Sequence, residues 1–507
     1  MISETPRGPT PGDGIALLPA IEQNLLCRTP ITLGRLGYIG AVGEAFEAAY
    51  RRRNPWVEWR VAPGGDAQLD GLVVGHLTAA AIPPLAAALA PDGYLIAAAP
   101  ALATGEAAAL RAAFGDAGLL LLAAHPLGVE SPFDDVSHDM AAVFGRPFDH
   151  PPLILTLRKR PNVSARLVLQ IAAFSPDMMD VRTRLPAQAL RASPDLAVAY
   201  SPPPIRQTPT AIDRPKVLVL QRPALRTAQE WAASLAQSIA GGWIVVMEYD
   251  DHPELVAQLH NSAPDWDRFA YTHAIQTSTT ALARAFAPWN PEVQVFPNAI
   301  FDLPDFDDRR PPRVFYGAMR RGRYAHEVVR SLGPVVQEFP DTEFVVVGDR
   351  QIYDAVPTPR KVFHDVLSYE RYLDVMASCA VSLSPIEGMA LQDTKSDGKF
   401  LDASSRSLVT IASPTIYGDT IRHGETGLIA ERIEDWAPLL AGLLRDDGRR
   451  RAIARQAWAY VRDQRMFRHQ AGGRVAWYQS LWTRREALNA ALIPRVPGLA
   501  AALGRRP

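Results

Sequence analysis

Short apolar runs rich in Val, Ile and Leu, each closed by Gly, Pro or a polar cluster and followed by a longer helical stretch, recur along this chain. LDGLVVGHL (69–77) and PLAAALAPDGYLIAAAP (84–100) open the series, followed by VLQIAAF (168–174), KVLVL (216–220), WIVVM (243–247) and HAIQT from His273. A last group, RVFYG from Arg313, EFVVVGD (343–349), AVSLSP (380–385) and LVTIAS (408–413), gives way to helical patterns from Ile433 to about Trp482. Runs this short cannot be helices, and their continuous apolarity fits strands covered on both faces, as in parallel sheets. The expected fold class is α/β, with three tandem Rossmann-like domains at 1–160, 161–310 and 311–507. The proline-rich stretch Pro202–Pro215 reads as a loop inside the second.

A chain of 507 residues with 48% hydrophobic and 21% charged residues is long enough for several cores and is neither disordered nor fibrous. Its formal charge of -1 excludes a nucleic-acid binder working by global electrostatics, so any phosphate chemistry is local. Cys27 and Cys379 belong to no disulfide framework and no metal spacing. The first residues lack the charged start and apolar core of a signal peptide, and no apolar run reaches the roughly 18 residues of a membrane span. The expected compartment is the cytoplasm.

Lysine is scarce: only Lys159, Lys216, Lys361, Lys395 and Lys399 stand among 53 basic residues, and two of them fall within DTKSDGKFLD, 393–402. Thr394 or Ser396 is a candidate N-cap for a helix running to about Ser405, on which Lys395, Lys399 and Asp402 share a face. Cations at a helix start oppose its dipole by roughly 0.3 to 1 kcal/mol and repel one another. The pattern becomes favourable when a diphosphate sits there, because free N–H groups, dipole and both lysines converge on it. Asp402, a turn deeper, can accept from ribose hydroxyls. The competing reading is a solvated face on which Asp393, Asp397 and Asp402 neutralise the lysines. GAMRRGR (317–323), directly after a strand, is a second anion-friendly stretch: Gly317 admits close approach, and Arg320 or Arg321 can fork onto phosphate oxygens. The acidic turn Asp250, Asp251, His252 at a strand's C-terminal end faces the crevice where open α/β sheets bind ligands, and is the candidate for acceptor activation. The alternative is a cap for the next helix.

Residues 313–480 resemble the nucleotide-sugar-binding half of GT-B glycosyltransferases of the retaining family 4 type. The resemblance is carried by VFYGAMRRGR, FVVVGD, AVSLSPIEG, LQDTKSDGKFLDASSRSLVTIAS and IYGDTIRHGETGLIA. Residues 165–310 resemble the acceptor half, through AAFSPDMMDVRTRLPAQAL, MEYDDHPE, STTALARAF and VFPNAI. The resemblance implies that the last two domains form a GT-B enzyme, metal-independent and hexosyltransferase-type, moving a sugar from a nucleotide diphosphate sugar to a glycan or glycolipid in bacterial surface polysaccharide assembly. It implies phosphate contacts for Lys395, Ser396, Lys399 and Arg320, a ribose contact for Asp402, and an acceptor side near Arg182 and Arg184. The family's usual first glutamate is Thr394 here, with Glu387 as its candidate substitute. Two other readings are an epimerase of the same fold, which turns over donor without acceptor, and a non-catalytic glycan- or partner-binding protein.

Residues 30–160 more faintly resemble a class I methyltransferase, through LDGLVVGHL, LAPDGYLIAAAP and the glycines Gly34, Gly37, Gly40 and Gly43. No acid follows WVEWRV until Asp66, so the fold is expected to persist without S-adenosylmethionine binding. The P-loop, HExxH and GxSxG patterns are absent. His423, in RHGETG, is expected at the rim of the site. LNAALIPRVPGLAAALGRRP, at the C-terminus, is apolar with basic ends and offers a peripheral membrane contact at the inner face. Pro494 and Pro497 break a long amphipathic helix, which favours a packed or frayed tail.

Overall fold

The computed structural model describes residues 18–504 apart from 41–42, 62–67, 128–151, 160–165, 175–179, 194, 204, 224–226, 260–264, 308, 320 and 389–390. The apolar runs become three six-stranded sheets. The first contains β1 (Arg35–Ile39), β2 (Glu58–Val61), β3 (Leu69–Val74), β4 (Leu89–Ala99), β5 (Leu119–Pro126) and β6 (Leu153–Lys159), in the order β2-β1-β3-β4-β6-β5. Here β6 runs antiparallel to both neighbours, while the other pairs are parallel.

The second sheet, entirely parallel, has β7 (Leu167–Ala173), β8 (Leu196–Ser201), β9 (Lys216–Gln221), β10 (Ile244–Glu248), β11 (Ala274–Thr277) and β12 (Val293–Val295), ordered β12-β11-β10-β9-β7-β8. The third, also parallel, has β13 (Arg313–Tyr316), β14 (Glu343–Val347), β15 (Lys361–His364), β16 (Val381–Ser384), β17 (Val409–Ala412) and β18 (Leu428–Ile429), ordered β15-β14-β13-β16-β17-β18. In each of these two sheets the strand order reverses once, between β7 and β9 and between β13 and β16, and crevices open beyond strand C-termini at such points. Continuous apolarity has the expected cause: every residue of β7, β9, β10, β11, β16 and β17 is buried.

The chain's end does not stay with the third sheet. Ile300 donates to the Arg465 carbonyl at 2.8 Å, and Phe467 donates back to Ile300 at 2.9 Å, so the connector between sheets and the returning chain run side by side. The helix Arg468–Thr483 then lays Ala471, Val475, Tyr478 and Leu481 against Val217, Ile244 and Val246 of the second sheet. Leu492, Val496 and Leu499 reach the opposite face, among Leu218, Val245 and Trp243. Each such buried side chain contributes roughly 1.5–3 kcal/mol. The apolar tail is therefore core of the second sheet, although its expected domain was 311–507. Among the described residues no helix is long and apolar enough to cross a membrane.

The first sheet docks on the connector. The Arg52 carbonyl accepts from Leu303 at 3.0 Å, and its guanidinium forks onto Asp302, with Nε to Oδ1 at 2.7 Å. Trp56 stands edge-on to His469, ring centroids 4.9 Å apart.

Candidate functional site

A cleft of about 350 Å³ opens between the C-terminal ends of the second and third sheets. The second sheet supplies the turn after β10, where Arg222, from the end of β9, pairs with Asp250 at 2.8 Å and with Asp251 at 2.5 Å. Arg222 holds a positive φ of 42°, a conformation rare for a residue with a side chain and kept only where its contacts enforce it.

The third sheet supplies a short helix, Gly398–Ser405. Its N-cap, Asp397, does not cap it: both carboxylate oxygens go to Arg465, at 2.6 and 2.9 Å, and one also accepts from Thr420 at 3.0 Å. The Asp397 carbonyl accepts from the Phe400 and Leu401 amides, at 2.9 and 3.3 Å, so among the described residues the Gly398 and Lys399 amides remain as donors at this helix start, and both residues line the cleft. Around this helix start stand Lys395, Ser396, Lys399, Arg321 and Asp402, all lining the cleft. Lys395 reaches across to Asp251 at 2.9 Å, joining the two sheets. Burial acts to raise the Asp251 carboxyl, but Arg222 and Lys395 outweigh it and hold the group below the usual carboxylate range.

Among the described residues Lys399 forms no ion pair, although the Asp402 carboxylate lies near enough to favour its charge. Its ammonium donates to the Gly317 carbonyl and lies 5.6 Å from the Tyr372 ring centre. Burial, with Arg321 and Lys395 as like charges nearby, pushes it down to about 8. Arg321 makes no ion pair among the described residues, so three cations converge here with one carboxylate, Asp251, directly paired to any of them. Asp402 is pushed up by burial and accepts from the Tyr369 hydroxyl at 2.7 Å, leaving Oδ2 for a further donor. Exposed Met319 and Val366 add an apolar wall.

The structure separates the sequence candidates. Lys395, Ser396, Lys399, Asp402, Arg321, Asp250 and Asp251 meet in the cleft. Arg320 lies outside the described residues, as does Asp66. Gly317 is required by packing, since a Cβ there would stand 2.5 Å from Phe315 and 2.6 Å from Tyr372. Glu387 is exposed and does not line the cleft. His252 is buried on the other side of the turn, where its Nδ1 accepts from the Glu254 amide at 3.3 Å and burial lowers its pKa. It thereby caps the helix Pro253–Leu259 and opens onto a separate hollow with Arg284 and Asp393. His423 is likewise outside the cleft, accepting from the Ile429 amide at 3.1 Å.

Arg182 does not face an acceptor. It is 1% exposed and locked to fully buried Glu248 through two bonds, at 2.9 and 3.2 Å, and to the Phe296 carbonyl at 2.6 Å. Arg184 forks onto Asp180 at 2.9 and 2.7 Å and reaches Glu370 of the third unit, closing the cleft's rim. Sequence reading missed Arg222, Asn298, Tyr369 and Arg465. Arg222 alone carried a signal, its place just beyond a buried strand.

In the first sheet the matching helix start is already occupied. The carboxylate of Glu22, 6% exposed, accepts from the Gly43 amide at 3.2 Å where the helix Glu44–Arg53 begins.

No family model matches the chain, and no curated protein matches it. Among solved structures, it is similar to Anabaena HepE in complex with UDP and glucose, with a TM-score of 0.43 and 14% identity over 62% of this chain and 100% of that one. It is similar also to sucrose-phosphate synthase from Thermosynechococcus elongatus, at 0.43 and 13% over 63% and 100%. A third is the pneumococcal O-GlcNAc transferase GtfA in complex with UDP and GlcNAc, at 0.37 and 13% over 55% and 57%.

Proposed function

We propose that the chain is a GT-B glycosyltransferase whose second and third sheets hold a nucleotide diphosphate sugar between them and pass its sugar, with retention, to a hydroxyl acceptor. The observation that carries this reading is the helix start at Gly398. Two separate stretches of sequence, 395–399 and the turn at Arg321, bring the Gly398 and Lys399 amides, both lysine side chains, the Arg321 guanidinium and the Ser396 hydroxyl to one cleft. A helix N-terminus with convergent cations is an anion site, and two lysines plus an arginine match a diphosphate.

In the reaction, the bond between the anomeric carbon and the diphosphate oxygen breaks and a bond to the acceptor oxygen forms. The acceptor's proton passes to the departing phosphate or to a carboxylate. Charge grows on the diphosphate as it leaves, and fixed donors at the helix start lower the barrier most there. Lys395 serves this only by exchanging Asp251 for phosphate, which frees a carboxylate at the acceptor side of the cleft. In this reading Asp250 and Asp251, which line the cleft, take the acceptor's proton, and His252, which opens onto the separate hollow, does not. In the same reading Asp402 Oδ2 accepts from a ribose hydroxyl, and Met319 and Val366 cover the base. Metal independence, a glycan or glycolipid acceptor and a role in surface polysaccharide assembly belong to the same proposal.

Calorimetric titration with UDP, GDP and ADP tests it. One nucleotide is expected to bind, and Lys395→Ala to weaken it by about 1.5–3 kcal/mol, as for loss of a charged hydrogen bond. Absence of binding by all three, or equal binding by both proteins, overturns the reading.

A further inference from the structure

Asn298 sits where the connector leaves the second sheet, and its side-chain oxygen, side-chain nitrogen and backbone carbonyl are all engaged. Arg182 Nη1 donates to its Oδ1 at 3.1 Å, its Nδ2 donates to Ser396 Oγ at 2.8 Å, and Arg465 Nη2 donates to its carbonyl at 3.1 Å. A side-chain amide's orientation follows from its neighbours, and here the neighbour decides it: a guanidinium has donors and no acceptor. The Asn298 oxygen must face Arg182, so its NH2 must face Ser396.

Ser396 Oγ therefore accepts, and its own proton has to point elsewhere. Ser396 lines the cleft at the start of the helix Gly398–Ser405. We propose that Asn298 is a positioning residue that turns the Ser396 hydroxyl outward as a donor to the phosphate oxygens of the nucleotide, an inference resting on the diphosphate reading above.

The support behind Asn298 is rigid on both sides. Arg182 is fixed by Glu248 and the Phe296 carbonyl, and Arg465 by the Asp397 carboxylate. Gly398 completes the fit, since a Cβ there would lie 2.9 Å from Asn298 Nδ2. The start of the helix can lie this near Asn298 only because residue 398 has no side chain.

Asn298→Asp tests the assignment, because a carboxylate keeps the shape and the bond to Arg182 but accepts where the amide donated. Ser396 then gives its proton to residue 298 and loses it for the ligand. The nucleotide among UDP, GDP and ADP that binds the wild type is titrated against Asn298→Asp, Ser396→Ala and the double variant, with the matching nucleoside as control. Each single variant is expected to weaken the diphosphate about tenfold. The double variant should lose no more than about threefold beyond either, because both remove one interaction, and nucleoside binding should not change. Should Asn298→Asp fail to fold, Asn298→Ala carries the test, with about a threefold loss that vanishes in the Ser396→Ala background. Wild-type affinity in the single variant, losses that multiply, or an equal loss for the nucleoside would overturn the positioning role alone. No binding of any diphosphate by the wild type overturns both the role and the reading beneath it.

Discussion

Two acid–base pairs of the second sheet use the same chemistry to different ends. Arg182 and Glu248 are both out of solvent, doubly bonded to each other and further tied to Phe296, Gln276 and Asn298. Lys395 and Asp251 meet in a cleft, each about a quarter exposed, through one bond and with Arg222 as a second partner for the carboxylate. A buried pair cannot exchange partners, because either charge left alone pays full desolvation. The partly exposed pair can, because an incoming anion replaces one carboxylate by another negative group. The contrast teaches that pairing alone does not distinguish scaffold from site: burial and the supply of alternative partners do.

The sharpest way to break the comparison is to remove one cation from each pair. Arg182→Met is expected to lower stability in denaturant unfolding by about 3–5 kcal/mol, whereas Lys395→Ala lowers it by about 1 kcal/mol or less. Similar losses in both would show that the two pairs play one role.

A second expectation concerns the returning chain. His273, at the start of β11, is buried; its Nδ1 accepts from the Val245 amide at 2.8 Å and its Nε2 meets Asn489 at 2.8 Å. Burial lowers its pKa to about 4 from an ordinary 6.5. Between those values the unfolded chain binds a proton that the folded chain refuses, so stability falls as the pH drops from about 6.5 toward 4. The loss approaches 3 kcal/mol at about 1.4 kcal/mol per unit. Thermal melts from pH 7 to pH 4 should show it, and His273→Gln should flatten the curve.

The smallest effect sharpens the cleft side. Burial and like charges hold Lys399 near a pKa of about 8, and a bound diphosphate raises it. Binding near pH 8.5 should therefore take up a fraction of a proton, read from calorimetry in buffers of different ionisation enthalpy. The uptake should be absent in Lys399→Met.

The three sheets were legible in the sequence because doubly covered strands must be apolar throughout, and the paired lysines of 393–402 stood out because so few others exist. The site's other half was not legible, for a physical reason. Asn298 and Ser396 lie 98 positions apart, and Arg465 and Asp397 68, so nothing local marks them as partners. Arg182 illustrates the converse. The family resemblance suggested the acceptor side of the cleft, while a glutamate buried at the end of β10 claims it. The helical signal beyond Ile433 was read correctly as helix, but which sheet its last turns cover depends on shape that no short window of residues encodes.

The docking of the first sheet has a mechanical consequence. Asp302 takes Arg52 from one side and lies 3.8 Å from Arg406 of the third unit on the other, while Leu303 is pinned to the Arg52 carbonyl. The connector between the second and third sheets is thus splinted by the amino-terminal unit. The amino-terminal unit, none of whose described residues lines the cleft, therefore braces a covalent link between the cleft's two walls.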